Sequence, residues 1–369
     1  NYGIATNVLK TLETSSSIGM FVRDTGGCLI SRLGLSRSKD ESREIAIAEL
    51  SESALFYFSA PILAKASANL FSKKYNIEKD LFTSNIKDLK NVDKNTLKNI
   101  KLGKFGQILS VFSIILPAVF LIAPIRNNVT LDETGKKKFV SVVGLENNEN
   151  KDKNKKQEKI GLNKSLNLIK KLSLISAASL ALTAGFLGIS KNKDIYEKIE
   201  PFIDKIIKHF DFTKTGGLEL LHYGALIYPV SIASYFWASR DKYEKMENIR
   251  RFSITVPLLF FGEKLIQNPI YKYFDKKFNT NIFDGKNIKT YKEIFKLPDI
   301  QKNSAIKAKN WAYGLTFFIN TMAIAAAVAL LNRIQTKKKY KKDYMQTSLK
   351  QNILIPKKTM KDFMLECKK

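Results

Sequence analysis

Glu219 and His222 are the two side chains whose types and spacing come closest to a chemical site. They stand three positions apart, so on a helix they share one face. Glu-x-x-His on a bundle helix is one part of a carboxylate-bridged di-metal site, which also needs a second such pair and two more carboxylates. The other histidine, His209, has no glutamate at that spacing. We therefore predict no metal and no cofactor, and we interpret the pair as a polar contact between helices.

Charged side chains also interrupt stretches that are otherwise apolar. A charged group inside a membrane is costly, so it turns toward other helices or a water-filled cavity, where it often lines a pathway. The sequence predicts no catalytic residue, because the phosphate-binding, dinucleotide-binding, metalloprotease and hydrolase motifs are absent. The candidates for lining a substrate pathway are Glu49, Glu52, Glu219, His222, Glu263 and Lys264.

The element that most clearly positions such groups is the uncharged run at 105–125, which is bounded by Lys104 and Arg126. About 20 apolar residues at ~1.5 Å each cross a hydrocarbon core of ~30 Å. Similar runs recur, so we predict an all-α, polytopic helical membrane bundle of about six spans, with five as the alternative. Ser38 and Glu41 fit a capping box that opens the first span. Interfacial amphipathic helices complete the predicted fold.

The expected segments follow from composition and apolar periodicity. They are an N-terminal cytoplasmic segment (1–37), a marginal first span (38–71), a surface helical hairpin (72–104), a span (105–125), a polar mobile cytoplasmic loop (126–171), a span (172–190), an interfacial amphipathic helix (191–214), a span (215–239), a span or re-entrant segment (252–270), a basic aromatic surface segment (271–310), a span (311–332) and a basic cytoplasmic tail (333–369).

Two surface features carry further expectations. Small residues every four positions let membrane helices approach closely, which predicts a packing face of Ser173, Ala177, Ala181 and Gly185. The basic tail follows a span directly, so we expect it to contact anionic lipid headgroups. The lysines concerned are Lys337, Lys338, Lys339, Lys341 and Lys342.

The formal charge of +28 indicates anionic partners, and the spans make the lipid bilayer the expected one. We do not expect nucleic acid as a partner, because clustered lysines give only sequence-independent attraction. In the six-span arrangement all nine arginines fall on one side, which the positive-inside rule makes cytoplasmic. We therefore expect a protein integral to a bacterial-type inner membrane with both termini cytoplasmic. The sequence leaves the oligomeric state open.

Two classes of function remain. The first is transport or lipid handling through a polar interior within the membrane, and several charges in apolar spans favour it. The second is a non-enzymatic membrane scaffold that binds anionic lipid or a protein partner through its basic cytoplasmic segments. A membrane enzyme is the third class, and no complete catalytic site in the sequence favours it.

Overall fold

The computed structural model describes residues 3–13, 21–89, 91–146, 160–212, 220–258, 263–285 and 287–354. Every regular element in these ranges is helical, apart from one isolated bridge between Phe283 and Ile288. The α-helices are α1 (Ile4–Glu13), α2 (Gly27–Gly34), α3 (Lys39–Ser53), α4 (Ala60–Lys74), α5 (Lys79–Thr83), α6 (Lys94–Thr134), α7 (Phe139–Val142), α8 (Ile160–Ile189), α9 (Lys193–Phe210), α10 (Leu220–Ala238), α11 (Lys242–Pro257), α12 (Glu263–Phe278), α13 (Tyr291–Ile294), α14 (Asp299–Phe317) and α15 (Ile324–Leu354).

In the described ranges, four helices are long and apolar enough, by length and composition, to cross a membrane, namely Lys39–Lys74, Lys94–Thr134, Ile160–Ile189 and Asp299–Ser348. The first joins α3 to α4 and the last joins α14 to α15, each through a π-helical turn. The predicted spans 38–71, 105–125, 172–190 and 311–332 fall within or overlap these four helices almost completely. The span predicted at 215–239 corresponds to α10, and the one at 252–270 is divided between α11 and α12.

Side-chain caps explain where two of the long helices begin. The Ser38 hydroxyl accepts a hydrogen bond from the backbone N–H of Glu41, which confirms the predicted start of α3. The Glu41 carboxylate bonds the Arg37 N–H at 2.5 Å, one residue before the position that a capping box uses. Asp93 opens α6 by accepting from the N–H groups of Asn95 and Thr96. Both caps satisfy donors that a helix leaves unpaired.

Polar clusters define the two ends of the bundle. At the end that we call the arginine end, α3, α6, α10 and α11 meet around Glu44, Arg126, Arg240 and Glu244. At the opposite lysine end, the ammonium group of Lys104 in α6 bonds Asp211, which follows α9, at 2.6 Å. About 22 residues of α6 separate the two clusters, which is ~33 Å of helix.

The N-terminal segment differs from its prediction, because it runs between the two ends. In α1, Glu13 pairs with Lys309 at 2.6 Å. In α2, Cys28 and Ser31 donate to the carbonyls of Thr321 and Met322. Arg37 then reaches the arginine end, where it pairs with Glu247. Residues 4–13 and 36–44 therefore lie at opposite ends of the bundle, whereas the sequence predicted that 1–37 stays on one side.

Helix α9 occupies the predicted place of the interfacial helix, but its apolar side contacts protein. Ile203 and Ile207 are buried in a cluster with Phe105 and Phe112 of α6. The Phe112 and Phe210 rings meet edge to face at 5.9 Å. An apolar stripe can pack against protein as well as against lipid, so sequence periodicity does not distinguish the two environments.

Two segments predicted as surface structure have small cores of their own. Residues 72–104 contain the end of α4, the short helix α5, a 3₁₀ turn and the start of α6, packed around Phe82, instead of a helical hairpin. Residues 271–310 enclose a cluster that includes Tyr271, Ile282 and Ile294. In the second segment, the Asp284 carboxylate accepts a hydrogen bond from the Asn287 N–H at 2.6 Å.

The small-residue face predicted on α8 is turned away from the rest of the chain. Ser173, Ala177, Ala181 and Gly185 are all exposed. Helix α8 packs on α6 through another face instead, which includes Ser165, Thr183 and Leu187. At its first turn the Asp132 carboxylate accepts from the Gly161 and Leu162 N–H groups at 2.6 Å.

Alanine substitutions at two glycines of α8 should change the free energy of unfolding in opposite directions. At Gly161 a Cβ would collide with the backbone carbonyl of Asn128, so we expect Gly161→Ala to destabilise the protein by about 1–3 kcal/mol. At Gly185 nothing lies within 4 Å, so we expect Gly185→Ala to stabilise it by about 0.5–1 kcal/mol. Reversible unfolding in mixed micelles measures both. Destabilisation by Gly185→Ala would show that this face is packed after all.

Candidate functional site

A cavity of about 300 Å³ lies inside the bundle, between the N-terminal segment and helices α3, α11 and α14–α15. We call it the central cavity. It includes two of the predicted pathway residues, Glu49 and Glu52. Its other charged and amide-bearing lining residues are Arg32, Arg37, Glu41, Glu247, Arg251, Gln267, Asn320, Asn332 and Arg333. Among the described residues, four arginines and four glutamates line it, and the formal charges of these eight cancel.

The predicted residues Glu49 and Glu52 are held in different ways. Glu49 forms an ion pair with Arg32 of α2. The Oε1 atom of Glu52 accepts from the Tyr235 hydroxyl at 2.9 Å and from the Ser231 hydroxyl at 3.5 Å. Within the described ranges, no Lys or Arg forms an ion pair with Glu52. One carboxylate is thus neutralised by a neighbouring cation, and the other is held by hydroxyl groups of α10.

Arg251 of α11 contributes a cation that is oriented by aromatic rings. Its guanidinium carbon lies 4.4 Å from the ring centroids of both Tyr235 and Phe252. Cation–π contact with two rings stabilises the guanidinium charge at this position. Tyr235 is 2% exposed and also bonds Glu52, so one tyrosine positions a cation and an anion of the cavity.

The cavity ends at the arginine end, where Arg37 joins two glutamates. It donates to Glu247 at 2.7 Å and to Glu41 at 2.5 Å. Burial lowers the pKa of Arg37, but the hydrogen bonds to Glu41 and Glu247 outweigh burial and raise that pKa above its ordinary value. Arg37 therefore stays charged at every physiological pH and holds the N-terminal segment to α3 and α11.

A second network lies beside this end of the cavity. Arg240 donates to both oxygens of Glu44 at 2.7 and 2.8 Å, and it also pairs with Glu244. Arg126 also donates to Glu244, at 2.6 Å, and reaches the Oε1 atom that accepts from Arg240. Burial lowers the pKa of Arg240, but Glu244 and Glu44 raise it above its ordinary value. The network joins four helices, and its four residues are not among those that line the cavity.

Three π-helical turns meet next to the cavity, at Phe21–Gly26, Ala54–Ser59 and Phe318–Ala323. The Phe21 and Phe58 rings lie 5.5 Å apart. A Cβ at Gly27 would lie 2.6 Å from the Thr321 Cβ, so the approach of α2 to the third turn requires a glycine. Such turns occur often at functional sites, because they re-aim side chains within a helix.

The other predicted site residues either lie outside the described part of the chain or are exposed on its surface. Glu219 lies outside the described residues, and so do the side chains of His222, Glu263 and Lys264. The tail lysines predicted to contact lipid headgroups are exposed on α15, namely Lys337, Lys338, Lys339, Lys341 and Lys342. Within the described ranges, no group of three or more His, Cys, Asp or Glu side chains is placed to hold a metal ion.

Sequence reasoning missed Arg32 and Arg251 as site residues. It placed both in aqueous segments, Arg32 near the N-terminus and Arg251 in a basic loop. A usable signal existed in α11, where Glu247, Arg251 and Thr255 recur every four residues and all line the cavity. That spacing puts polar side chains on one face of the helix.

No protein-family model, curated protein or solved structure matches this chain.

Proposed function

We propose that this protein is a polytopic membrane transporter that moves a small polar solute through the central cavity. Six helical crossings and the N-terminal segment would surround the cavity, with the arginine end on the cytoplasmic side. The observation that carries the proposal is the length of the cavity's lining, which has charged or amide side chains near both of its ends and between them. Along α14–α15 the lining residues run from Tyr313 to Arg333. Twenty residues of helix rise ~30 Å, which is the thickness of a hydrocarbon core.

The positions of α10 and α11 support six crossings. Helix α10 packs along α6, where the Ser234 hydroxyl donates to the Phe120 carbonyl at 2.6 Å. It ends at the arginine end, where the Asn127 amide donates to the Ala238 carbonyl at 2.7 Å. Helix α11 begins there, and α12 packs on α14 in the other half of the bundle. In the proposed arrangement, α10 makes one crossing and α11 with α12 makes the return.

The nature of the lining favours transport over a purely structural role. Charged and amide groups within an apolar bundle cost free energy, and well-packed apolar residues often replace buried ion pairs without loss of stability. In this chain such groups occur at several depths of one cavity. A pathway for a polar solute needs that arrangement, whereas a scaffold does not.

Filling the cavity tests the proposal. Proteoliposomes are loaded with a defined mixture of amino acids, organic acids, sugars and nucleosides, and mass spectrometry follows the loss of each. We expect the wild-type protein to release at least one class of solute and Ala325→Trp to slow that release about tenfold or more, because Ala325 lines the cavity. Ala327→Trp, on the exposed side of the same helix, should behave as wild type. Release that is equal in all three samples, or absent, contradicts the proposal.

A scaffold is the second candidate, and the exposed tail lysines favour it. Helix α15 continues past Arg333 to Leu354, which presents those lysines on ~30 Å of helix beyond the cavity. Each such charge near an anionic surface contributes about 1 kcal/mol. The proteoliposome experiment separates the two candidates. A protein that releases no solute but needs these lysines to bind anionic vesicles is a scaffold.

A further inference from the structure

Arg251 has hydrogen-bonding capacity that the described part of the chain does not use. The Tyr235 and Phe252 rings pack against its guanidinium, which presents N–H donors around the edge of its plane. Arg32 and Arg37 each donate to a carboxylate. Within the described ranges, no side chain or carbonyl accepts a hydrogen bond from Arg251. Because Arg251 lines the central cavity, that edge is available to a ligand.

Glu52 has a matching open acceptor. Both of its hydrogen bonds, from Tyr235 and Ser231, reach Oε1. Within the described ranges, no donor contacts Oε2. The charge of Glu52 interacts with that of Arg251, yet no hydrogen bond joins them. The cavity therefore holds an open cation and an open anion beside the same tyrosine.

We propose that Arg251 and Glu52 bind a small zwitterion of the amino-acid type, with its carboxylate on Arg251 and its ammonium on Glu52. The inference rests on the proposed function and names the class of solute transported. A simple anion would be repelled by Glu52 and a simple cation by Arg251, whereas a zwitterion satisfies both. The volume of about 300 Å³ suits a ligand of that size. Phe252 and Val328, which also line the cavity, would contact its apolar part.

Three matched probes test the charge requirement. Binding to the full chain in nanodiscs is measured by calorimetry for L-leucine, for 4-methylpentanoate, which lacks the amine, and for 3-methylbutylamine, which lacks the carboxylate. We expect leucine to bind about 10- to 100-fold more tightly than either analogue, because each analogue leaves one charged group of the cavity unpaired. Equal affinity for leucine and one of its analogues overturns the inference, and so does absence of leucine binding.

Two variants should change charge selectivity in opposite directions. Arg251→Gln should weaken leucine binding about 10- to 100-fold and strengthen binding of the amine, whereas Glu52→Gln should weaken leucine and strengthen binding of the carboxylate. Arg251→Lys should restore part of the leucine affinity. Arg250→Gln is the matched control, because Arg250 contacts Asn332 and Thr336 and does not line the cavity.

A misfolded variant loses all three probes, so an inverted selectivity separates a binding role from a structural one. The inference is overturned if Arg251→Gln weakens binding of all three probes equally while Arg251→Lys and Glu52→Gln keep the wild-type ratio of affinities among the probes. The outcomes also separate the two proposals. If proteoliposomes release a solute that is not a zwitterion, the transport proposal stands and the zwitterion site is wrong. If they release nothing, the transport proposal itself is wrong.

Discussion

Arg240→Met should lower the free energy of unfolding by about 3–5 kcal/mol, because it leaves buried carboxylates without their cation. Glu44 and Glu244 are 4% and 3% exposed. Arg240 donates hydrogen bonds to all four of their carboxylate oxygens, and Arg126 also donates to one oxygen of Glu244. Arg126 alone would face two glutamates. Methionine fills similar space but donates no hydrogen bond. Reversible unfolding in mixed micelles, followed by tryptophan fluorescence, measures the loss.

A control and a rescue make the Arg240 result specific. Arg333→Met removes an exposed arginine from the same end and should change stability by less than about 0.5 kcal/mol. Adding Glu44→Gln to Arg240→Met removes one uncompensated charge and should recover part of the loss. If Arg240→Met costs no more than Arg333→Met, the network does not hold α3, α6, α10 and α11 together.

Glu13→Leu should release α1 from the bundle. The ammonium group of Lys309 is 2.6 Å from Glu13, and the lysine is only 2% exposed. It lies 5.2–5.8 Å from the ring centroids of Tyr271, Tyr291 and Tyr313. Without the carboxylate a buried charge loses its ion pair, at a cost of about 3–5 kcal/mol. A ten-residue helix is marginal alone, so α1 depends on its contacts with the bundle, and we expect it to detach when this ion pair is lost.

Hydrogen exchange at residues 4–13 measures the release of α1. We expect the amides of α1 to exchange as fast as an unprotected peptide in Glu13→Leu, while the amides of α6 keep their wild-type rates. Glu197→Leu, which replaces an exposed glutamate of α9, serves as the control. The double variant Glu13→Leu with Lys309→Met removes the buried charge and should restore part of the protection. Unchanged exchange in Glu13→Leu would remove the support for placing α1 at the lysine end.

Apolar runs and caps located the long helices before any contact was known. The uncharged run 105–125 is too long for an ordinary core helix, and it lies inside α6. Ser38 opens α3 because its hydroxyl satisfies a local donor, and that interaction depends on neighbours in sequence. Glu49 and Glu52 could be predicted as polar lining because an acid in an apolar helix requires a polar environment. Such features can be predicted from sequence because their causes are local.

The partner of each helix face depends on tertiary packing. The stripe on α9 is amphipathic from sequence, but only the fold shows that α6 covers it. The small residues of α8 could pack, yet the fold turns them outward and buries Thr183 and Leu187 instead. The sequence placed Arg251 with the other arginines outside the membrane spans, whereas the fold places it against Tyr235 at a cavity. Periodicity determines which side of a helix is apolar or charged, and contacts between residues distant in sequence determine what that side meets.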